Sequence, residues 1–199
     1  MVWVLIVEDH FLVREGLKQL ISHDYPAARF GEAATVRQAL LLLPERPWNL
    51  VLLDIGLPDG DGLSVLERAR RDRPESPVLI VTGHSGQLFA EQAREMGAAG
   101  FVRKSAEGVE LGRAIHSVLA GSEYFTRRSD TAKSAHSLLS PQEFKVMLAI
   151  AAGKRPSDIA READLSTKTI STYKRRVFAK LGLKSTAELI RFISDGGLD

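Results

Sequence analysis

The sequence predicts an α/β protein, a doubly wound five-stranded parallel sheet, followed by a small all-α unit. Three observations carry this. Residues 1–120 alternate short apolar β-branched runs with amphipathic stretches, the pattern of parallel strands and covering helices. From Leu138 onward every segment has helical spacing and none alternates like a strand. Charge divides in the same region: residues 1–126 hold 13 Lys+Arg against 17 Asp+Glu, a net of −4, while residues 127–199 hold 14 against 8, a net of +6. An acidic first part joined to a basic last part implies two domains with different partners. A basic domain of about 70 residues is a candidate for binding nucleic acid.

The elements follow in order. "VWVLIV" (2–7) suits a strand buried on both faces. "FLVREGLKQLI" (11–21) places Leu12, Val13, Leu17, Leu20 and Ile21 at helical spacing. "ARFGEA" (28–33) is a weak strand, and "TVRQALLLL" (35–43) a helix with Thr35 as N-cap. "LVLL" (50–53) and "LSVLERARR" (63–71) form the third pair, and "VLIV" (78–81) and "GQLFAEQAREMG" (86–97) the fourth, its helix stopped by Gly97. "GFV" (100–102) and "EGVELGRAIHSVLA" (107–120) complete five units. The polar, Ser-rich "GSEYFTRRSDTAKSAHS" reads as a linker. The expected division is 1–121, a linker at 122–137, and 138–199.

Composition narrows the chemistry. Cysteine is absent, which removes disulfides and thiolate metal sites and fits a reducing, cytoplasmic setting. "MVWVLIVEDH" lacks the basic lead and cleavage site of a signal peptide. No stretch approaches the roughly 18 apolar residues of a membrane span, so no membrane partner is expected.

In a parallel doubly wound sheet, sites form at the carboxyl ends of the strands. Glu8 and Asp9 end the first strand, Asp54 the third and Thr82 the fourth; Lys104 follows the fifth. One Asp after a strand is ordinarily a cap or turn residue, but here five polar residues converge on one edge. Clustered carboxylates repel unless a cation or proton intervenes. Hard oxygen ligands without Cys or clustered His suit Mg²⁺. A lysine ammonium and a threonine hydroxyl beside them can hold phosphoryl oxygens. Together these parts suggest phosphoryl transfer to Asp54 as nucleophile. Gly56 leaves its carbonyl free to approach a metal, and Pro58, Gly60 and Gly62 shape the loop after it. His10 reads as a capping or packing residue of the first helix rather than a ligand.

"LIVEDH", "VLLDIGLPDGDGL", "VTG" and "GFVRKSA" together resemble the receiver domain of two-component response regulators over about residues 1–120, and "EDHFLVREGL" resembles its NarL/FixJ branch. The resemblance implies a flavodoxin-like fold with Asp54 as phosphoacceptor and a sensor histidine kinase as donor. It implies Mg²⁺ on Asp9, Asp54 and the Gly56 carbonyl, with Glu8 as an acidic partner often acting through water. It makes Thr82 and Lys104 the pair that reads the phosphoryl group and Phe101 the switch aromatic, Tyr in many relatives. His84, two after Thr82, would lie near the phosphoryl pocket.

The last part begins with a helix start at Ser140-Pro141-Gln142-Glu143, a cap, a proline and a capping-box Glu. Gly153 stops that helix. "PSDIAREA" is a second short helix, "DLS" a tight turn, and "TKTISTYKRRVFAKLG" a third helix stopped by Gly182. Two short helices joined by a turn, the second strongly basic, read as helix-turn-helix. Ile170, Tyr173, Val177 and Leu181 share the core face of the third helix. The opposite arc carries Lys168, Ser171, Thr172, Arg175 and Ala179, flanked by Arg176. Arg can bond guanine bidentately, and Ser and Thr can reach bases or phosphates. Lys168, Arg176 and Lys180 are expected near phosphates. A merely solvated basic face would normally carry balancing acids, and Thr167–Lys180 has none.

This segment resembles the LuxR-type helix-turn-helix over about residues 138–193, closest in look to the BvgA/EvgA-like subgroup. The resemblance implies DNA as partner and a fourth helix, "KSTAELI", often used for dimer contact. The expected function is a phosphorylation-switched transcription factor that is a homodimer when phosphorylated, not an enzyme acting on a separate substrate. RNA polymerase is a candidate further partner. Three competitors are a Mg²⁺-dependent acid phosphatase with a nucleophilic Asp, a switch that sequesters a protein without DNA, and a regulator that binds DNA without phosphorylation. The phosphatase would need a second acid near Asp54, and "DIGLPD" offers only Asp59.

Overall fold

The chain opens with five strand–helix pairs: β1 (Trp3–Val7), α1 (Phe11–Asp24), β2 (Arg29–Ala33), α2 (Val36–Leu42), β3 (Leu50–Leu53), α3 (Leu63–Asp72), β4 (Val78–Thr82), α4 (Gln87–Glu95), β5 (Gly100–Arg103) and α5 (Gly108–Leu119). The computed structural model describes residues 1–83, 87–125 and 139–194. These fall into two units, residues 1–83 with 93–125 and residues 87–92 with 139–194.

The sheet runs β2-β1-β3-β4-β5 and ends on a short sixth strand, with every pair parallel. It holds six strands where the sequence predicts five. The extra strand, β6 (Tyr124–Phe125), pairs with the β5 edge, Gly100 opposite Tyr124 and Phe101 opposite Phe125. Two residues are too short to show a strand period, and they lie where the sequence reads as linker. The remainder of the expected linker, residues 126–137, lies outside the described residues, as does His84.

Central strands need apolar side chains on both faces because helices cover both. β3 and β4 are buried throughout, and β1 from Val4 on, whereas the edge strand β2 is partly exposed. One face of the sheet (Val4, Ile6, Leu50, Leu52, Leu79, Val81, Val102) packs on Leu17 and Ile21 of α1 and on Ala114, Ile115 and Val118 of α5. Alternation sends Leu5, Val51, Leu53, Ile80 and Phe101 to the other face. This register brings all the carboxyl ends to one edge: the Glu8 amide donates to Ala33 O, that of Asp54 to Val7 O and that of Lys104 to Thr82 O.

The second unit contains α6 (Pro141–Ala151), α7 (Pro156–Glu162), α8 (Thr167–Leu181) and α9 (Thr186–Ser194). The expected capping box is formed: Ser140 Oγ accepts from the Glu143 amide, and Glu143 Oε2 accepts from the Ser140 amide at 2.8 Å. Gly153 and Gly182 adopt φ of 77° and 68°, the left-handed conformation that ends helices. The turn between α7 and α8 is made without glycine. Asp164 takes φ 52°, and the Leu165 and Asp164 amides close back on Ala160 O and Arg161 O. Phe144, Met147, Ile150, Ile159, Ile170, Val177 and Leu189 form this unit's core. The Phe89 ring meets Phe144 edge-on at 5.3 Å.

Candidate functional site

The acidic edge is built on buried groups. Glu8 and Asp54 are 2% and 5% exposed, and Thr82 is fully buried. Two carboxylates withdrawn from water need a compensating cation. Lys104 supplies it: its Nζ lies 2.6 Å from Glu8 Oε2 and 2.7 Å from Asp54 Oδ2. Burial acts to lower the Lys104 pKa, but the hydrogen bonds to Asp54 and Glu8 outweigh it, so the ammonium is held above its ordinary value. The other Asp54 oxygen, Oδ1, accepts from the Gly56 amide at 3.1 Å. Gly56 itself is exposed. Phe101 on β5 is buried, three residues before Lys104.

The loop after Asp54 returns so closely that a Cβ on Gly62 would lie 2.5 Å from Asp54 O and 2.6 Å from Ile55 Cα. Asp59, the acid the phosphatase reading would need, is committed elsewhere. It caps α2 from across the loop, accepting from the Val36 amide at 2.7 Å and the Arg37 amide at 3.0 Å.

Two residues join the site that sequence reasoning placed otherwise or missed. His10 sits at the N-cap of α1 but makes no side-chain cap bond. Its Nδ1 lies 3.0 Å from Glu8 Oε1 and 2.8 Å from Asp9 Oδ1. The hydrogen bond with Glu8 and the charge of Asp9 raise its pKa. Arg14 pins the loop that carries the acids, its Nη1 donating to Glu8 O at 2.8 Å and Asp9 O at 3.1 Å. Only its place one turn into α1 pointed that way.

The donor set fits a hard divalent cation. Asp9 Oδ1 is shielded from solvent and, despite its approach to His10, has no hydrogen-bond partner. Ligand atoms of Glu8, Asp9 and His10 lie within 4.8 Å of one another. An orphaned anionic oxygen beside further carboxylates is an environment a cation relieves.

In the second unit, Lys168, Ser171, Arg175 and Arg176 are exposed on α8, and Thr172 is partly buried. Ser166 caps this helix through the Thr169 amide at 3.0 Å. Among the described residues, no acidic side chain pairs with Lys168, Arg175 or Arg176. The hydroxyls of Ser171 and Thr172 donate to Thr167 O at 2.9 Å and Lys168 O at 3.0 Å, so in this conformation they present acceptor lone pairs outward. Lys180 is also exposed, but it has an acidic partner. Its ammonium meets Glu143 Oε2 at 2.6 Å. The helical wheel carried the signal, since Lys180 lies roughly 180° from Ser171 and about 20° from Tyr173 at 3.6 residues per turn.

A parallel sheet with a lysine-bridged acid pair at its carboxyl edge, joined in one chain to a helix-turn-helix with an exposed basic helix, defines a two-part regulator. Residues 4–116 match the response regulator receiver domain, and residues 137–193 match the bacterial regulatory proteins of the luxR family. The chain is 38% identical to the transcription regulator BvgA of Bordetella pertussis, covering 94% of each chain. It is 28% identical to the response regulator UvrY of Escherichia coli, over 100% of this chain and 96% of that one. A solved structure of RcsB from Salmonella enterica serovar Typhimurium shares the fold at a TM-score of 0.84 and 23% identity, covering 98% and 99% of the two chains. The chain therefore belongs to the response regulators, with a receiver and a LuxR-type DNA-binding domain. Among the described residues, no helix is long and apolar enough to cross a membrane.

Proposed function

We propose that this protein is a transcription factor whose DNA binding is controlled by phosphorylation of Asp54, the phosphoryl group coming from a sensor histidine kinase. The observation that carries the reading is the Lys104 ammonium bridging buried Glu8 and Asp54. Residues 1–125 act as receiver, since β6 belongs to its sheet, with the linker beginning after that strand and 138–199 as DNA-binding domain.

An Asp54 oxygen attacks phosphorus as the phosphohistidine P–N bond breaks. The new P–O bond leaves an acyl phosphate on Asp54, and the nitrogen lone pair returns to the kinase imidazole. Asp9, Asp54 and the Gly56 carbonyl would hold Mg²⁺, with Glu8 as the acidic partner behind them. The cation supplies charge neutralisation on the phosphoryl oxygens. Lys104 and Thr82 hold those oxygens, so Lys104 exchanges its Asp54 contact for one to phosphate. Phe101 follows as the switch side chain. This chemistry is confined to the protein's own Asp54, with no separate substrate.

On α8, Arg175 reads guanine, Ser171 and Thr172 accept from base amino groups, and Lys168 and Arg176 contact phosphates. Support comes from the exposure of this face and from RcsB, whose structures are described as bound to promoter DNA in the presence of a phosphomimetic. The phosphorylated protein acts as a homodimer on paired half-sites, in the cytoplasm, with RNA polymerase as a further partner.

Incubation with acetyl phosphate and Mg²⁺ tests the chemistry. Intact-mass spectrometry should find one added phosphoryl group, cleaved by hydroxylamine and missing from Asp54→Asn. Selection from a random duplex pool should then enrich a paired motif. No added mass, or addition that persists in Asp54→Asn, would remove Asp54 as acceptor.

A further inference from the structure

We infer that Lys180 is a positioning residue for the DNA-reading helix: it locks the last turn of α8 to the first turn of α6 through Glu143 and does not contact phosphate. The inference rests on the DNA-binding reading and deepens it. Lys180 and Glu143 are 37 positions apart, and their Nζ and Oε2 meet at 2.6 Å. That same Oε2 accepts the Ser140 amide at 2.8 Å. One buried oxygen therefore closes the N-terminus of α6 and captures the C-terminal turn of α8. Glu143 is 3% exposed, so a charge placed there needs a partner, and Lys180 provides it. Burial alone would raise the Glu143 pKa; the Lys180 ammonium and the Ser140 amide outweigh it and hold the carboxyl below its ordinary value.

The geometry of α8 separates this pair from the base-reading side chains Ser171 and Arg175, while Arg176, one turn earlier, stands about 40° from Lys180. Lys180 projects from the side occupied by Tyr173, and Ser171 lies roughly 180° away around the helix. The ammonium is spent on α6, the helix against which α8 packs, and so sets the angle at which α8 is held. The residues that face DNA lie in the first two-thirds of the helix, so a small rotation at Lys180 is carried to them as a displacement.

Two kinds of lysine leave different marks on binding. A phosphate-contacting lysine, when neutralised, weakens binding to all sequences alike and lowers the log–log salt slope by about 0.9. A positioning lysine weakens binding to the preferred sequence and leaves the slope alone. The probes are the duplex that the wild-type chain enriches from a random pool and a scrambled duplex of equal length. The full chain is titrated with beryllium fluoride and Mg²⁺ present throughout. Lys180→Met and Glu143→Gln should each weaken the enriched duplex by about tenfold between roughly 50 and 200 mM salt, with unchanged slopes and scrambled-duplex affinity. The double variant should be no weaker than either single one, and Lys180→Arg should restore most of the loss. Arg176→Met serves as the phosphate-type comparison. If Lys180→Met does not fold, Glu143→Gln and Lys180→Arg carry the same slope test. A slope lowered in Lys180→Met, or Glu143→Gln binding as well as wild type, would overturn the inference. A wild-type chain that enriches no duplex would overturn the DNA-binding reading as well, and that failure is recognised because no variant is needed to see it.

Discussion

At the sheet edge, Glu8, Asp54 and Thr82 come from three strands far apart in sequence and are almost sealed from water. Along α8, Lys168, Ser171, Arg175 and Arg176 come from one helix and stand in solvent. The difference sets how each region responds to change. Burial makes the acidic parts interdependent, because removing one charge strands another where water cannot compensate. The parts of the basic face are separable, since each exposed cation is already hydrated and screened. A region of the first kind can act as a switch, and one of the second kind as a graded contact surface.

The largest effect should follow from breaking the interdependence. Lys104→Met leaves Glu8 and Asp54 without their shared ammonium and should cost about 2–4 kcal/mol in urea unfolding. Mg²⁺ should restore more stability to this variant than to wild type. Equal responses to Mg²⁺ would mean that the cation does not bind among these carboxylates.

The basic face is expected to yield smaller and position-specific losses. Arg175→Ala should weaken binding to the enriched duplex by about 1–3 kcal/mol and relax selection at one base pair. Arg176→Ala should weaken all sequences alike and flatten the salt slope by about one unit. If the two variants behave identically, the arc does not divide into base and phosphate contacts. Competitive binding against point-substituted duplexes distinguishes these results.

Acid sharpens the contrast, because Glu143 brings a buried carboxylate into the otherwise exposed region. Its folded pKa lies below the ordinary 4.5. The stability it contributes is therefore fully present above pH 4.5 and is lost as pH falls through the lower folded value. Glu143→Gln should flatten the acid limb of stability and change nothing of that slope near neutrality. Chemical unfolding at a series of pH values checks this.

The smallest effect belongs to a helix surface outside both regions. Gly16 lies within α1, and a Cβ there would meet nothing within 4 Å. Gly16→Ala should stabilise by about 0.5–1 kcal/mol by restricting the unfolded chain, measured as a rise in the unfolding midpoint. A loss instead would point to a role for this face that needs close approach.

Much of this was legible in sequence because local rules and the fold agree. Strand-ending acids, the Ser140–Glu143 capping box and the glycines after α6 and α8 are written in short windows with steric meaning. The features that escaped depend on chain segments distant in sequence. β6 exists because the β5 edge offers it a partner. Asp59 looks like a loop acid until α2 is beside it. Lys180 looks like one more basic residue of α8 until α6 brings Glu143 to its ammonium. His10 kept its place at the helix start, but its ring turned to the acids because two anionic oxygens attract it more than the helix end does.

The most direct test of the central claim, that chemistry at Asp54 controls the basic helix, is a binding titration of the enriched duplex with and without acetyl phosphate and Mg²⁺, on wild type and on Asp54→Asn. The expected result is tighter binding by phosphorylated wild type and no response from Asp54→Asn. Equal affinities for all four samples would contradict it, leaving a DNA-binding protein whose acidic edge is not its control.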